Sequence, residues 1–87
     1  MPYTVRYTQL AVKQLKKLDK YTRTLILAWV EKNLVNTDNP RRHGKGLVAT
    51  HKGKWRYRIG DYRLLAEIQE NELVILVLTV GHRKSIY

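Results

Sequence analysis

The stretch that decides the fold covers residues 55–66, which read Trp55-Arg56-Tyr57-Arg58-Ile59-Gly60-Asp61-Tyr62-Arg63-Leu64-Leu65-Ala66. A Gly-Asp pair between two runs of β-forming residues predicts a hairpin with a two-residue loop. Gly60 and Asp61 then form the loop, and Arg58 lies directly opposite Arg63. Because successive side chains alternate between the two faces of a strand, one face is apolar and is predicted to be buried; we call it the core face. The other, the arginine face, carries Arg56, Arg58 and Arg63.

The arginine face brings like charges close together. Charges of the same sign directly opposite each other in a sheet destabilise it by up to about 1 kcal/mol. A bound anion would remove this cost. Solvation of the arginines, or pairing with Glu67 on the same face, would also reduce it. The hairpin alone therefore leaves anion binding open.

The last predicted strand, from Leu73 to Val80, is apolar on both faces. This pattern is typical of a strand that lies inside a sheet or is covered by another element. If Glu70-Asn71 forms a two-residue turn, Arg63 faces Leu78. Even-numbered residues from 74 to 80 then lie on the arginine face and His82 joins them, while odd-numbered residues from 73 to 79 lie on the core face. A different turn length could flip this register.

The N-terminal half predicts one strand and two helices. Tyr3 to Tyr7 alternates β-forming residues, and Thr8 is a suitable N-cap for an amphipathic helix from Leu10 to Leu18. Asp19 to Thr22 is predicted to be a tight connection, and a second helix runs from Arg23 to about Asn36. The apolar residues of this second helix extend beyond one stripe, so the surplus either joins the core or forms a groove for a partner.

These elements predict one α+β domain over residues 1–87, in the order β-α-α-β-β-β, with two N-terminal helices packed on a small, mostly antiparallel sheet. A basic loop at residues 41–46 precedes the hairpin and lacks the spacing of a phosphate-binding P-loop. The side chains expected to be largely buried are Trp55, Tyr57, Leu64, Ala66, Ile68, Leu15, Leu18, Leu25 and Trp29.

Composition excludes several classes of protein. The 87 residues include no cysteine, which excludes disulfides and thiolate zinc sites and fits a cytoplasmic location. No apolar run approaches the ~20 residues of a membrane span, and the N-terminus lacks the apolar core of a signal peptide. The histidines have no carboxylate at useful spacing, so neither a metal nor another cofactor is predicted.

The charge is strongly positive and unevenly distributed. The net charge is +10, and residues 41–63 hold eight basic residues against one acidic residue, Asp61. Basic residues clustered in a folded domain with aromatic residues nearby favour a polyanionic partner, either nucleic acid or an acidic protein. Charge that serves solubility alone usually mixes the two signs more evenly.

The cluster of arginines, a histidine and a terminal tyrosine suits a phosphodiester. Cleavage of RNA by its own 2′-hydroxyl requires a base for that hydroxyl, stabilisation of the charge on phosphorus, and an acid for the leaving 5′-oxygen. Arginine supplies the charge stabilisation, and histidine or tyrosine can transfer a proton. Neither a Ser-His-Asp arrangement nor a pair of carboxylates stands out as an alternative.

Four segments make the sequence similar to the RelE branch of the RelE/ParE toxins. They are Trp55-Arg56-Tyr57-Arg58-Ile59, Asp61-Tyr62-Arg63-Leu64, Val80-Gly81-His82-Arg83-Lys84-Ser85-Ile86-Tyr87 and the loop Asn39-Pro40-Arg41-Arg42-His43-Gly44-Lys45-Gly46-Leu47. The resemblance implies a bacterial type II toxin that cuts mRNA in the ribosomal A site and is neutralised by an acidic, RelB-like antitoxin. Its expected partners are the antitoxin and the ribosome with bound mRNA, and DNA only through the antitoxin complex.

The resemblance also implies a set of site residues. The catalytic residues by position are Arg56, Arg58, Arg63, His82, Arg83 and Tyr87. The lysines expected to contact RNA are Lys45, Lys52, Lys54 and Lys84. Arg63 matches the phosphate-binding arginine of the family.

Two departures from the family pattern affect the roles of these residues. The founding member has lysines at the positions of Arg56 and Arg58, and arginine cannot act as a base because it stays protonated. His82 is therefore the better proton carrier. The spacing from Arg83 to Tyr87 is also shorter, so Tyr87 is expected to stack on a base or orient its neighbours. The alternatives are a ParE-type inhibitor of DNA gyrase and a non-catalytic nucleic-acid-binding module, which the fold alone cannot distinguish.

Overall fold

The structure is a computed structural model that describes residues 2–47 and 53–84. It has the predicted α+β architecture, with two helices packed against one sheet. The elements are β1 (Thr4–Tyr7), α1 (Gln9–Lys17), α2 (Lys20–Asn33), β2 (Lys45–Gly46), β3 (Trp55–Ile59), β4 (Tyr62–Gln69) and β5 (Val74–His82).

The described strands form one sheet in the order β1-β5-β4-β3-β2. β1 pairs with β5 in parallel, and the other pairs are antiparallel, so the sheet is mostly antiparallel as predicted. β5 lies between β1 and β4, which confirms the predicted position inside the sheet. β2 was predicted to be loop, because a Lys-Gly dipeptide has neither the alternation nor the β-branched residues that indicate a strand.

The predicted hairpin of β3 and β4 is confirmed. Ile59 pairs with Tyr62, and Arg58 pairs with Arg63, so the two arginines share one face. Gly60 has a positive φ of 59°, which suits the glycine that type II′ hairpin loops have at their first central residue. The Gly-Asp signal therefore fixed both the turn and the pairing of the strands that it joins.

The helices start at side-chain caps. Thr8 caps α1 as predicted, and its hydroxyl accepts a hydrogen bond from the Ala11 amide. α2 begins at Lys20, three residues before its predicted start at Arg23, because the Asp19 carboxylate accepts from the amide of Thr22 and acts as the N-cap. Within the described residues, no helix is long and apolar enough to cross a membrane.

The core lies between the helices and the core face of the sheet. Leu15, Tyr57, Leu64 and Ala66 are buried as predicted. Leu25 is 48% exposed, which corrects its predicted burial. The buried line of α2 is instead Ile26, Val30 and Leu34, at a spacing of four residues, so Leu25 lies on the outer side of the helix. Four residues predicted to be largely buried are only half-buried and pack against the core: Leu18, Trp29, Trp55 and Ile68.

The connection from β4 to β5 differs from the predicted two-residue turn. A short 3-10 turn spans Glu70–Glu72, Leu73 adopts a left-handed φ of 55°, and Gln69 pairs with Val74. This longer connection moves the register by two residues. Alternation is unaffected by an even shift, so Ile75 and Val77 still lie on the core face as predicted and are buried.

A β-bulge further along β5 overturns the rest of the predicted register. Ala66 pairs with Val77 but Leu65 pairs with Thr79, so Leu78 is the extra residue. Beyond the bulge the alternation is reversed. Val80 is 2% exposed on the core face, and Arg63 faces Gly81 instead of Leu78. His82 pairs with Tyr62, so its predicted place on the arginine face is wrong.

Candidate functional site

Four cations lie on the arginine face across three neighbouring strands. Arg58 of β3 is opposite Arg63 of β4, and Arg56 lies between Leu65 on β4 and Lys45 on β2. The side chain of Arg58 is exposed, whereas Arg56 and Arg63 are half-buried. The hairpin therefore brings together the basic side chains that the sequence predicted to act jointly.

Arg63 stands out because part of its guanidinium group is buried without compensation. Its Nε–H is buried and has no hydrogen-bond partner. On the same face, the Thr79 hydroxyl is also buried and unpartnered. A buried donor without a partner costs about 1–3 kcal/mol, and more when the group is charged. Arg63 is thus positioned to gain from an anion that enters the face between Arg58 and Gly81.

Glu67 does not neutralise Arg63. Its carboxylate accepts hydrogen bonds from the Lys54 ammonium at 2.8 Å and from the Gln69 side chain at 2.9 Å. The hydrogen bond from Lys54 is the main reason that the pKa of Glu67 lies below its ordinary value. Lys54, predicted to contact RNA, therefore has a protein partner of its own.

The end of β5 is attached to the hairpin loop. The Arg83 amide donates to the Asp61 carbonyl at 2.9 Å, and the side chains of Arg83 and Lys84 are exposed. The His82 ring packs edge-on against Tyr62, with the ring centres 5.5 Å apart, and its Nδ1 accepts from the Lys84 amide. His82 thus lies on the core side of the sheet, one residue from Gly81, which is beside Arg63.

Two predicted site residues, Lys52 and Tyr87, lie outside the described residues, and their roles stay predictions. The described part of the chain contains no group of three or more His, Asp or Glu side chains placed to hold a metal ion.

Residues 39–44 form an anchored loop that the sequence did not single out as part of the site. The Tyr57 hydroxyl donates to the Pro40 carbonyl at 2.6 Å, and the Trp55 indole donates to the His43 carbonyl at 2.7 Å. Burial raises the pKa of the Tyr57 phenol, so the phenol remains a donor. The available signal was the pair of aromatic residues with polar tips on the core face, because such tips require partners when buried.

Gly44 lets this loop approach β3 closely. Its φ is 82°, and a Cβ at this position would collide with the Arg56 carbonyl oxygen and the Trp55 indole. Both the left-handed conformation and the close approach require glycine. The loop is therefore held against the strand that carries Arg56 and Arg58.

The fold and this basic site can now be compared with known proteins. The family model described as ParE toxin of type II toxin-antitoxin system, parDE, matches residues 5–87. The chain is 36% identical over 87 residues to Toxin RelG of Mycobacterium tuberculosis, covering 100% of this chain and 98% of RelG. The chain belongs to the RelE/ParE superfamily of type II toxin-antitoxin toxins.

Solved structures support the same assignment. The toxin-antitoxin complex RelBE2 from Mycobacterium tuberculosis is 34% identical with a TM-score of 0.86, covering 95% of this chain and 100% of that chain. The archaeal RelE-RelB complex from Pyrococcus horikoshii OT3 is 27% identical with a TM-score of 0.74, covering 98% and 99%. Both are complexes of a toxin with its antitoxin.

Proposed function

We propose that this toxin is an endoribonuclease that cleaves mRNA in the ribosomal A site. The observation that carries the proposal is the arginine face, where Arg63 has a buried, unpartnered Nε–H directly beside Arg58. A phosphodiester of RNA offers oxygen acceptors and negative charge that match these groups. The likeness to toxins that carry the RelE and RelG names supports the same reading.

The proposed reaction is an attack by the RNA on itself. The 2′-oxygen bonds to phosphorus, the bond to the 5′-oxygen breaks, and one proton leaves the 2′-hydroxyl while another reaches the 5′-oxygen. Arg63 and Arg83 hold the scissile phosphate, and Arg56 and Arg58 stabilise the charge that develops on it. Loss of one donor from a preorganised site of this kind typically costs about 10²–10³ in rate.

His82 is the proposed proton carrier. It is one residue from Gly81, the neighbour of Arg63, and an imidazole can accept or donate a proton. Its ring packs against Tyr62, so transfer to or from the RNA requires the ring to rotate out of this contact toward the arginine face. Tyr87 is proposed to stack on a base or to orient neighbouring groups.

The lysines are proposed to bind the RNA strand around the site. Lys45 shares the arginine face through its pairing with Arg56, and Lys84 is exposed beyond the end of β5. Lys54 contributes only when its ion pair with Glu67 opens. Lys52 completes the proposed set.

An acidic, RelB-like antitoxin is the proposed protein partner. The related structures are a RelBE2 toxin-antitoxin complex and an archaeal RelE-RelB complex, and the net charge of +10 of this chain favours an acidic partner. Contact with DNA is proposed to occur only through the antitoxin complex.

The test is translation of a defined mRNA with the parent protein and with Arg63→Ala. Primer extension should show new 5′ ends within codons in the A site with the parent, and at least 10²-fold slower cleavage with Arg63→Ala. Because the matching family model carries the ParE name, inhibition of DNA gyrase is the second candidate, and a supercoiling assay runs in parallel. Gyrase inhibition without RNA cleavage would overturn the proposal in favour of this alternative.

A further inference from the structure

A cleft of about 400 Å³ lies at the edge of the arginine face, where the anchored loop meets β3. We call it the edge cleft. It is lined by Trp29, His43, Gly44, Lys45, Arg56 and Arg58. Its lining thus combines two aromatic rings with three cations.

The aromatic side of the edge cleft is held in place by the protein. The rings of Trp29 and His43 meet edge-on, with their centres 5.7 Å apart, and Trp29 packs on the buried Tyr57. The His43 carbonyl is fixed by the Trp55 indole. These side chains therefore lose little conformational freedom when a flat ligand binds there.

The cationic side of the edge cleft is continuous with the proposed phosphate site. Arg56 and Arg58 belong to both, and Lys45 pairs directly with Arg56. A ligand that fills the edge cleft and continues onto the arginine face would place negative charges against the cations and flat rings against Trp29 and His43. A chain with repeated negative charges and flat, unpaired rings has both features. Single-stranded nucleic acid meets this description, since aromatic side chains stack on bases and basic grooves follow the backbone.

We propose that the edge cleft binds the nucleotide next to the scissile phosphate, with its base against His43 and Trp29 and its own phosphate near Lys45. The inference rests on the proposed function and adds to it a subsite that binds one base of the RNA. An acidic protein segment is the competing occupant, because it would use the same cations without needing the rings.

The test measures binding of short 2′-O-methyl oligoribonucleotides, which cannot undergo cleavage, to the free protein. Each oligonucleotide is compared with copies that carry one abasic residue, placed at each position in turn. For the parent, we expect one position at which loss of the base weakens binding about tenfold. His43→Ala should abolish this dependence on the base, and His43→Phe, which keeps a ring, should retain it.

The charge arm uses two matched variants. Lys45→Gln should weaken binding of full and abasic oligonucleotides equally, because it removes a phosphate contact. Lys32→Gln removes the same charge from exposed α2, outside the edge cleft, and should weaken binding of either oligonucleotide less than Lys45→Gln does. Circular dichroism of each variant checks that the fold is retained.

Two results would overturn the inference. One is a parent protein whose binding is insensitive to every abasic position. The other is a His43→Ala variant that keeps the full base dependence. After either result, binding of a glutamate-rich peptide is measured. If Lys45→Gln weakens binding of the peptide and His43→Ala does not, the cleft is assigned to an acidic protein segment. Failure of the proposed function is distinct, because base-dependent binding would then persist while the parent leaves mRNA on programmed ribosomes intact.

Discussion

At the scale of single residues, Arg63 shows how a side chain proposed to bind phosphate costs stability in the fold itself. Its buried Nε–H has no partner, so an apolar side chain of similar length should suit the unliganded fold better. We expect Arg63→Met to raise the free energy of unfolding by about 1–2 kcal/mol, while cleavage falls about 10²–10³-fold. Urea denaturation and single-turnover cleavage measure the two effects. Arg58→Met is the matched control, because it removes the same like-charge pair but no buried donor, since Arg58 is exposed; it should therefore raise stability less than Arg63→Met does. A destabilised Arg63→Met variant would contradict this account.

His82 is the residue whose role depends most on a small movement. His82→Gln keeps a polar side chain of similar size but cannot transfer a proton. We expect single-turnover cleavage on programmed ribosomes to slow by about 10²–10⁴-fold, with binding to the A site nearly unchanged. Both rates are measured between about pH 5 and 8. If His82→Gln cleaves at the parent rate over this range, the arginines act by orientation and charge alone.

At the scale of elements, helix α1 fixes the part of β5 that the site depends on. β1 ends opposite Val77, and beyond that point no strand among the described residues pairs with the outer edge of β5. There α1 and its cap supply hydrogen-bond partners for the backbone of β5. The Thr8 hydroxyl donates to the Leu78 carbonyl at 2.8 Å, and the Gln14 side chain accepts from the Val80 amide at 2.7 Å. These bonds hold the bulge, and the bulge places Gly81 opposite Arg63.

Gln14→Leu should therefore disturb the site from a distance. Loss of the acceptor leaves the Val80 amide unsatisfied, which typically costs about 1–3 kcal/mol. We expect faster hydrogen exchange at Val80 and Gly81 and reduced cleavage, and Gln14→Glu, which keeps an acceptor, should recover most of both. Gln9→Leu on the exposed first turn of α1 is the control. Unchanged exchange at Val80 in Gln14→Leu would show that β4 alone sets the register.

The same elements show what could and could not be predicted from the sequence. The hairpin and the first helix cap follow from residues adjacent in the chain, so Gly60, Asp61 and Thr8 were sufficient to predict them. The bulge in β5 depends on contacts with α1, which lies about 70 residues away for the Thr8–Leu78 bond. No local pattern near residue 78 indicates it. For this reason the positions of the arginines were predicted correctly and the position of His82 was not.

At the scale of the whole molecule, the protein presents two different surfaces to partners. The arginine face is basic, whereas the outer side of α2 exposes large apolar residues, with Tyr21 at 76% exposure and Leu25 at 48%. Tyr21 and Leu25 are four residues apart and so lie on one line of the helix. Of the residues predicted to extend beyond the apolar stripe of α2, Leu27 and Ala28 are also exposed, whereas Val35 packs against the core.

We expect the antitoxin to use this apolar line as well as the positive charge. Apolar anchors spaced along a helix typically dock into a partner's groove or helix face, while opposite charge speeds the encounter and makes it sensitive to salt. The double variant Tyr21→Ser, Leu25→Ser should bind the adjacent acidic gene product at least tenfold more weakly in a pull-down titration, since truncation of buried anchors commonly costs more than about 1 kcal/mol each.

Cleavage of mRNA by the double variant should match the parent, because both residues lie on the helix side of the molecule, away from the arginine face. Leu27→Ser is the control, because Leu27 is another exposed residue of α2 that lies off this line. It should weaken antitoxin binding less than the double variant does if the line is recognised specifically. If the antitoxin binds the parent and the double variant equally well, the apolar line is not part of the interface, and the positive charge would then have to account for recognition.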